Sequence, residues 1–181
     1  MKVPNLSFSH FGINVTDLDK MVDFYTRVLG LTVTDRGPIG GLELAFLSRD
    51  PMEHHQMVLA SGRPRDVSFT TINQLSFRLP SLDDLRAARA ALLAEGIADL
   101  RVVSHGNAWS VYFLDPEGNR IEFFVDAPFY TPQPFAEALD LAASDDAILK
   151  STETQCRRRP RYQSREEWSR HMTRKMRRAE S

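Results

Sequence analysis

Cysteine is nearly missing: Cys156 stands alone among 181 residues. No internal disulfide can form, and no thiolate cluster exists to bind zinc. Long apolar runs are missing as well, since nothing approaches the ~20 residues needed to span a bilayer. Met1 to Ser9 holds no apolar stretch resembling a signal peptide. These absences lead to the expectation of a cytoplasmic protein with no membrane partner. Net charge is also small, at −1, but it hides a division. Residues 1–149 hold 12 Lys and Arg against 20 Asp and Glu, whereas residues 150–181 hold 11 against 4. A basic tail reads either as a nucleic-acid grip or as a segment lying on an acidic body, its own or a partner subunit's. No second basic element supports the grip, so no nucleic-acid partner is expected.

What is present is ordinary in amount, with 42% hydrophobic and 26% charged residues, enough for one well-buried domain and a short appendage. Its arrangement is repeated. Phe8-Ser-His-Phe-Gly-Ile-Asn-Val15 alternates like a strand and runs into Thr16-Asp-Leu-Asp19, a capped helix start. Leu18, Met21, Val22, Tyr25, Val28 and Leu29 then share one helix face, and Gly30 ends the helix. Short strand-like runs follow at 31–35, 42–48 and 56–60, with Gly37, Pro38, Gly40, Gly41, Asp50 and Pro51 as breakers. The second pass opens with a strand at 72–79. It continues with the cap Ser81-Leu-Asp-Asp84, a helix over 82–95 stopped by Gly96, and strands at 99–103, 109–114 and 120–125. Both halves read strand, helix, three strands. The period of about 64 residues is too long for a solenoid and suits two βαβββ modules, at about 6–60 and 71–126.

Such modules place equivalent positions around a common cleft. His10 falls on Gln74 near the start of each module, and Gln56 falls on Glu122 in each last strand. An imidazole, a carboxylate and amide oxygens are ligands for a divalent ion of the Fe, Mn or Zn kind. The hairpin 111–122 adds a further group. Pro116-Glu117-Gly118 suits a three-residue loop. Asp115 then faces Asn119, and counting outward sets Tyr112 opposite Glu122, with Cβ atoms about 5 Å apart. Tyr112 is either a phenol that hydrogen-bonds a metal-bound substrate oxygen or a half-buried residue of an ordinary hairpin.

His105-Gly-Asn-Ala-Trp-Ser-Val-Tyr112-Phe-Leu-Asp-Pro-Glu-Gly118-Asn-Arg-Ile-Glu122 resembles the signature of type I extradiol ring-cleavage dioxygenases. The opening Ser-His10-Phe-Gly and the run Asp-Phe-Tyr-Thr-Arg-Val-Leu-Gly-Leu are similar to the wider vicinal-oxygen-chelate superfamily, which includes glyoxalases and bleomycin-resistance proteins. The likeness covers residues 6 to about 126. It implies an α+β fold in which the two modules form a mixed-sheet, half-open barrel around a cleft. A vicinal-oxygen-chelate domain would span 1–126 and a C-terminal helical extension 127–181. It also implies Fe(II), less often Mn(II), held by two His and one Glu. By matching motif, Glu122 is the carboxylate and His10 the first imidazole. His105 and Tyr112 resemble residues that contact the catechol oxygens, and His55 resembles the acid/base His near the oxygen site. His54-His55 also reads as a solvated strand start. The chain departs from the pattern at Asn73-Gln74-Leu75, where Gln74 replaces the second metal His. An amide oxygen is a harder and weaker donor than imidazole, although glyoxalase relatives do use Gln as a ligand.

The reading that follows is a metal-dependent extradiol dioxygenase acting on a catechol-type aromatic diol, with that diol and O2 as its small-molecule partners. Two alternatives stand beside it: a glyoxalase-like isomerase or lyase, and a non-catalytic small-molecule-binding protein of the same fold. In the tail, Pro128, Pro132 and Pro134 enforce an extended crossing anchored by Phe129, Tyr130 and Phe135. A short helix around 146–154 is expected, then a last helix capped by Ser164-Arg-Glu-Glu167 that carries Trp168, Met172 and Met176. That stripe suits docking on the cleft mouth or on a neighbouring copy, and a homo-oligomer is expected.

Overall fold

The computed structural model describes residues 7–180. Residues 1–6, where the first module was expected to open and where part of the signal-free stretch lies, are outside the described residues, as is Ser181. Two compact units are present, Met1–Asn73 with Leu114–Asn119, and Gln74–Phe113 with Arg120–Ser181. Among the described residues no helix is long and apolar enough to cross a membrane.

The first unit runs β1 (Phe11–Val15), α1 (Leu18–Arg27), β2 (Thr32–Ile39), β3 (Leu42–Ser48) and β4 (Met57–Ser61). Strand order is β1-β4-β3-β2, with β1 parallel to β4. Alternation gives this sheet two faces. Ile13 and Val15, Ala45 and Leu47, and Met57 and Leu59 are buried, as are Leu18, Met21, Phe24 and Tyr25 of α1. Full burial of each large apolar side chain contributes about 1.5–3 kcal/mol. The helix cap is Asp17, whose carboxylate accepts the Lys20 N–H at 3.1 Å, rather than Thr16. The Thr16 and Asp17 N–H groups donate instead to Glu117, at 2.7 and 2.8 Å, so a second carboxylate meets the positive end of α1. β2 runs past the expected residue 35 through Gly37 and Pro38. Proline is tolerated there because β2 is an edge strand with β3 as its partner in the sheet order.

The second unit repeats the pattern with β5 (Leu75–Arg78), α2 (Leu82–Ala94), β6 (Arg101–Ser104), β7 (Ala108–Leu114) and β8 (Arg120–Asp126). The extension follows as β9 (Phe129–Tyr130), β10 (Glu137–Ala138), α3 (Asp145–Arg157), β11 (Gln163–Ser164) and α4 (Arg165–Glu180). Sheet order is β10-β6-β7-β8-β5, with β5 parallel to β8. Read from β5, this is the order of the first sheet with one strand added at the far edge. The α+β expectation of two βαβββ modules is borne out.

The extension belongs to the second unit. Its β10 pairs with β6, and α3 buries Ile148, Thr152 and Cys156. The Trp109 indole N–H donates to Thr152 Oγ1 at 2.9 Å. At α4, Ser164 and Glu167 exchange hydrogen bonds at 3.0 and 3.1 Å, the capping box read in the sequence. Trp168 stacks on Tyr130 with ring centroids 5.5 Å apart, while Met176 stays exposed. The stripe is thus partly used within its own unit.

In the first unit, the buried Tyr25 hydroxyl donates to Asp115 Oδ2 at 2.9 Å. Tyr25→Phe should lower the unfolding free energy by about 1–3 kcal/mol, because a buried carboxylate loses a donor. Urea denaturation of both proteins measures it, and equal midpoints would contradict a structural role for this bond.

Candidate functional site

In β8, Ile121, Phe123 and Val125 are buried, with Phe123 4.9 Å from Phe113 between ring centroids. Alternation turns Glu122 and Phe124 to the other face. That face lines a cavity of about 730 Å³ together with Gln74, Ser76, His105 and Tyr112. Glu122 is only 6% exposed, and a buried carboxylate needs donors. Gln74 Nε2 donates to its Oε2 at 2.9 Å, and the Ser76 hydroxyl donates to the same oxygen. The parallel ladder sets Ser76 beside Glu122. Gln74, two residues earlier, shares that face.

Tyr112 is placed by the turn. The Asp115 N–H donates to the Asn119 carbonyl at 2.9 Å, and the Gly118 N–H donates to the Asp115 carbonyl at 3.0 Å. Gly118 has φ +81°, a conformation glycine adopts without steric cost. This is the expected three-residue loop, and it sets Tyr112 across from Glu122. The Tyr112 hydroxyl lies 2.8 Å from His105 Nε2. Burial, and then the Glu122 carboxylate, push its ionisation well above the ordinary phenol range. It is therefore a proton-bearing donor at neutral pH. His105 Nδ1 lies 2.7 Å from the Phe135 carbonyl oxygen.

His10 and His55 meet in the first unit, with ring centroids 4.2 Å apart. His55 Nδ1 lies 2.9 Å from His54 Nδ1, and His54 Nε2 lies 3.1 Å from Asp35. The His pair is therefore tied to its neighbours. Burial, then His10, then His54, lower the His55 pKa below the ordinary imidazole range and so favour its neutral ring.

Gln56 requires a correction. Phe11 pairs with Met57 and Leu75 with Ile121, the same span in both modules. Glu122 pairs with Ser76, so its counterpart is Val58, the partner of Gly12, and not Gln56. The sequence comparison misplaced it by two residues because strand ends carry no marker of register. The Gln56 amide oxygen instead accepts the Arg49 N–H at 3.0 Å and closes the β3–β4 connection.

Gln74, His105, Tyr112 and Glu122 thus converge in the second unit, while His10 and His55 converge in the first. Among the described residues no group of three or more His, Cys, Asp or Glu side chains is gathered for a metal ion. In the second unit Glu122 and Gln74 stand side by side as a carboxylate and an amide. A half-turn of the Gln74 amide exchanges its nitrogen for its oxygen. The amide oxygen so presented and the carboxylate are oxygen donors of the type a hard divalent ion takes. Ser76, Phe124, Gln133 and Phe135 were not read as site residues. Ser76 was accessible from alternation with Gln74, whereas Phe135 lies in a tail without periodicity.

The profile described as the Glyoxalase/Bleomycin resistance protein/Dioxygenase superfamily matches residues 7–123. The chain belongs to this superfamily, some of whose members are dioxygenases. It is 32% identical over 130 residues to biphenyl-2,3-diol 1,2-dioxygenase 3 of Rhodococcus globerulus, covering 69% of this chain and 65% of that protein. The match therefore spans just under two thirds of that relative's length. Among solved structures, a glyoxylase/bleomycin resistance protein/dioxygenase domain from Frankia sp. EAN1pec superposes with a TM-score of 0.57 at 22% identity, covering 69% of this chain and 99% of that one. A fosfomycin resistance protein, FosX, from Listeria monocytogenes, solved with Mn(II), gives 0.52 at 17% identity, covering 67% and 92%. At such identities the two structures attest the fold.

Ser76→Ala should lower stability at neutral pH by about 1–2 kcal/mol, because Glu122 loses a donor. In a Glu122→Gln background the loss should shrink. A double-mutant cycle read by urea denaturation measures the coupling, and simple additivity would mean that the contact contributes nothing.

Proposed function

We propose that the protein is a metal-dependent extradiol ring-cleavage dioxygenase acting on a catechol-type aromatic diol. The observation that carries this reading is the sequence of groups along one cavity wall. His105 Nε2 lies beside the Tyr112 phenol, Tyr112 stands across from Glu122, and Glu122 is bonded to Gln74. An acceptor, a protonated donor and a charged ligand group in that order suit a molecule with two adjacent oxygens on one edge. Phe124, Ala108, Pro134 and Ala136 line the same cavity and suit the flat apolar remainder of an aromatic diol. Likeness to a biphenyl-2,3-diol dioxygenase over 69% of the chain supports the same class.

Glu122 and Gln74, adjacent in the second unit, would hold Fe(II) or Mn(II). When bound, such an ion supplies the positive charge that orders diol and O2 and steadies developing negative charge. Tyr112 donates to a diol oxygen, and His105 accepts from a diol hydroxyl. A glyoxalase-like isomerase would need a carboxylate base in the first module where Glu122 stands in the second. That position is Val58, which speaks for the dioxygenase reading.

The test is anaerobic purification, loading with Fe(II) or Mn(II), and a catechol panel read by O2 uptake and ring-fission absorbance. Loaded wild type should cleave at least one diol. Glu122→Ala should lose both metal and turnover, and Gln74→His should tighten Fe(II) binding while preserving or raising cleavage. Tyr112→Phe should lower kcat by about a hundredfold, the usual cost of one oriented donor. Loaded protein that consumes no O2 with any diol would sink the proposal. Equal metal content in wild type and Glu122→Ala would remove Glu122 from the ligand set.

A further inference from the structure

The sequence suggests that the C-terminal extension docks on the cleft mouth or on a neighbouring copy, whereas the contacts of residues 105–107 give it a further part. The Ala127 N–H donates to the Asn107 carbonyl at 2.9 Å. Gly106 has φ +72°, and a Cβ there would lie 2.6 Å from Thr131 Cγ2 and 2.8 Å from Cys156 Sγ. Both neighbours belong to the extension, so backbone meets extension too closely for any side chain at this position.

Gln133 bridges the two segments. Its Nε2 donates to the His105 carbonyl at 2.8 Å and lies 3.3 Å from Asn107 Oδ1 and from the Thr131 carbonyl. Its Oε1 accepts the Phe135 N–H at 3.0 Å. Three oxygens around one end of the amide and an N–H at the other settle its orientation. This clamp sets the Phe135 carbonyl oxygen 2.7 Å from His105 Nδ1. A carbonyl oxygen carries no proton, so Nδ1 must be the donor. In the neutral ring Nε2 is then a bare acceptor, 2.8 Å from the Tyr112 hydroxyl. The same segment carries Pro134, Phe135 and Ala136 along the cavity.

We propose that the extension builds the reaction site. Gln133 is a positioning residue that pins the Phe135 carbonyl against His105 and so holds His105 as its Nδ1–H tautomer. Residues 134–136 form the wall against which the substrate ring lies. The statement about the ring rests on the dioxygenase reading, whereas the tautomer does not. The small Ala136 is exposed on that wall and sets how large a ring substituent the cavity takes.

The experiment uses the full chain labelled with 15N-histidine, with His105 resonances assigned through His105→Asn. Nδ1 should carry the proton and Nε2 should show a pyridine-like resonance. A ground state protonated at Nε2 overturns the proposal whatever the activity. Gln133→Ala should mix the tautomers and raise KM for diols by about tenfold without moving the melting temperature, since misplacing a binding group is costly. If that variant fails to fold, Gln133→Glu, which keeps an acceptor for Phe135 but loses the donor to His105, should show the same two changes. Unchanged tautomer and KM in the folded variant would reject the positioning role. Ala136→Trp should raise KM for a bicyclic diol about tenfold more than for catechol, a discrimination of the size a filled pocket achieves. Equal effects on both diols would reject the wall. If the metal-loaded wild type cleaves no diol, the dioxygenase reading and the wall fall together, and the spectra still decide the role of Gln133.

Discussion

The buried carboxylate of Asp115 carries the geometry of the candidate site. It accepts from the Tyr25 hydroxyl, the Glu117 and Asn119 N–H groups and Asn119 Nδ2, all within 2.9 Å. Charge-assisted bonds in a low-dielectric setting are strong and directional, so the turn between β7 and β8 has one register. A slip of one residue would turn Glu122 and Tyr112 into the core and bring Ile121 or Phe123 onto the cavity face. Glu117 of the same turn accepts from the N-terminal amides of α1 and lies 3.5 Å from Arg63. The Asp-Pro-Glu-Gly segment, read in the sequence as a turn, thus works as a structural fastener for residues that sit outside it.

Duplication has left the two modules chemically unequal. At matching register positions the second carries Gln74, Ser76 and Glu122, and the first carries His10, Gly12 and Val58. The second set is a carboxylate with its donors, satisfied within its own sheet. In the first set a valine and a glycine leave His10 as the polar member. One carboxylate thus stands among the six matched positions, and the first module has none at the place that Glu122 holds in the second.

The polar end of the cavity also shows how backbone can determine side-chain chemistry. Neither Phe135 nor Gln133 is reactive, yet a carbonyl from one and an amide from the other decide which nitrogen of His105 faces the cavity. The Tyr112 phenol, kept protonated by burial and by Glu122, complements that choice, since a bare nitrogen and a proton-bearing oxygen satisfy each other. A substrate that enters between them would meet an acceptor and a donor already oriented.

Much of this protein was legible in its sequence because local chemistry dictates it. Alternation and caps located the two modules, and Pro116-Glu117-Gly118 predicted the turn that sets Tyr112 across from Glu122. The Ser164–Glu167 capping box predicted the start of α4. What failed was non-local. Gln56 was paired with Glu122 because alternation leaves register free by two residues, and only the ladder between β1 and β4 shows that Val58 holds that place. The extension carried no periodic signal from residue 127 to residue 144, so its addition of β10 to the second sheet could not be read. The same holds for the Phe135 carbonyl at His105, a backbone atom reached across 30 residues of chain. Sequence records side-chain identity and short-range spacing, which determine turns, caps and faces. Which backbone oxygen meets which ring nitrogen depends on how distant segments pack, and that the tertiary structure alone decided.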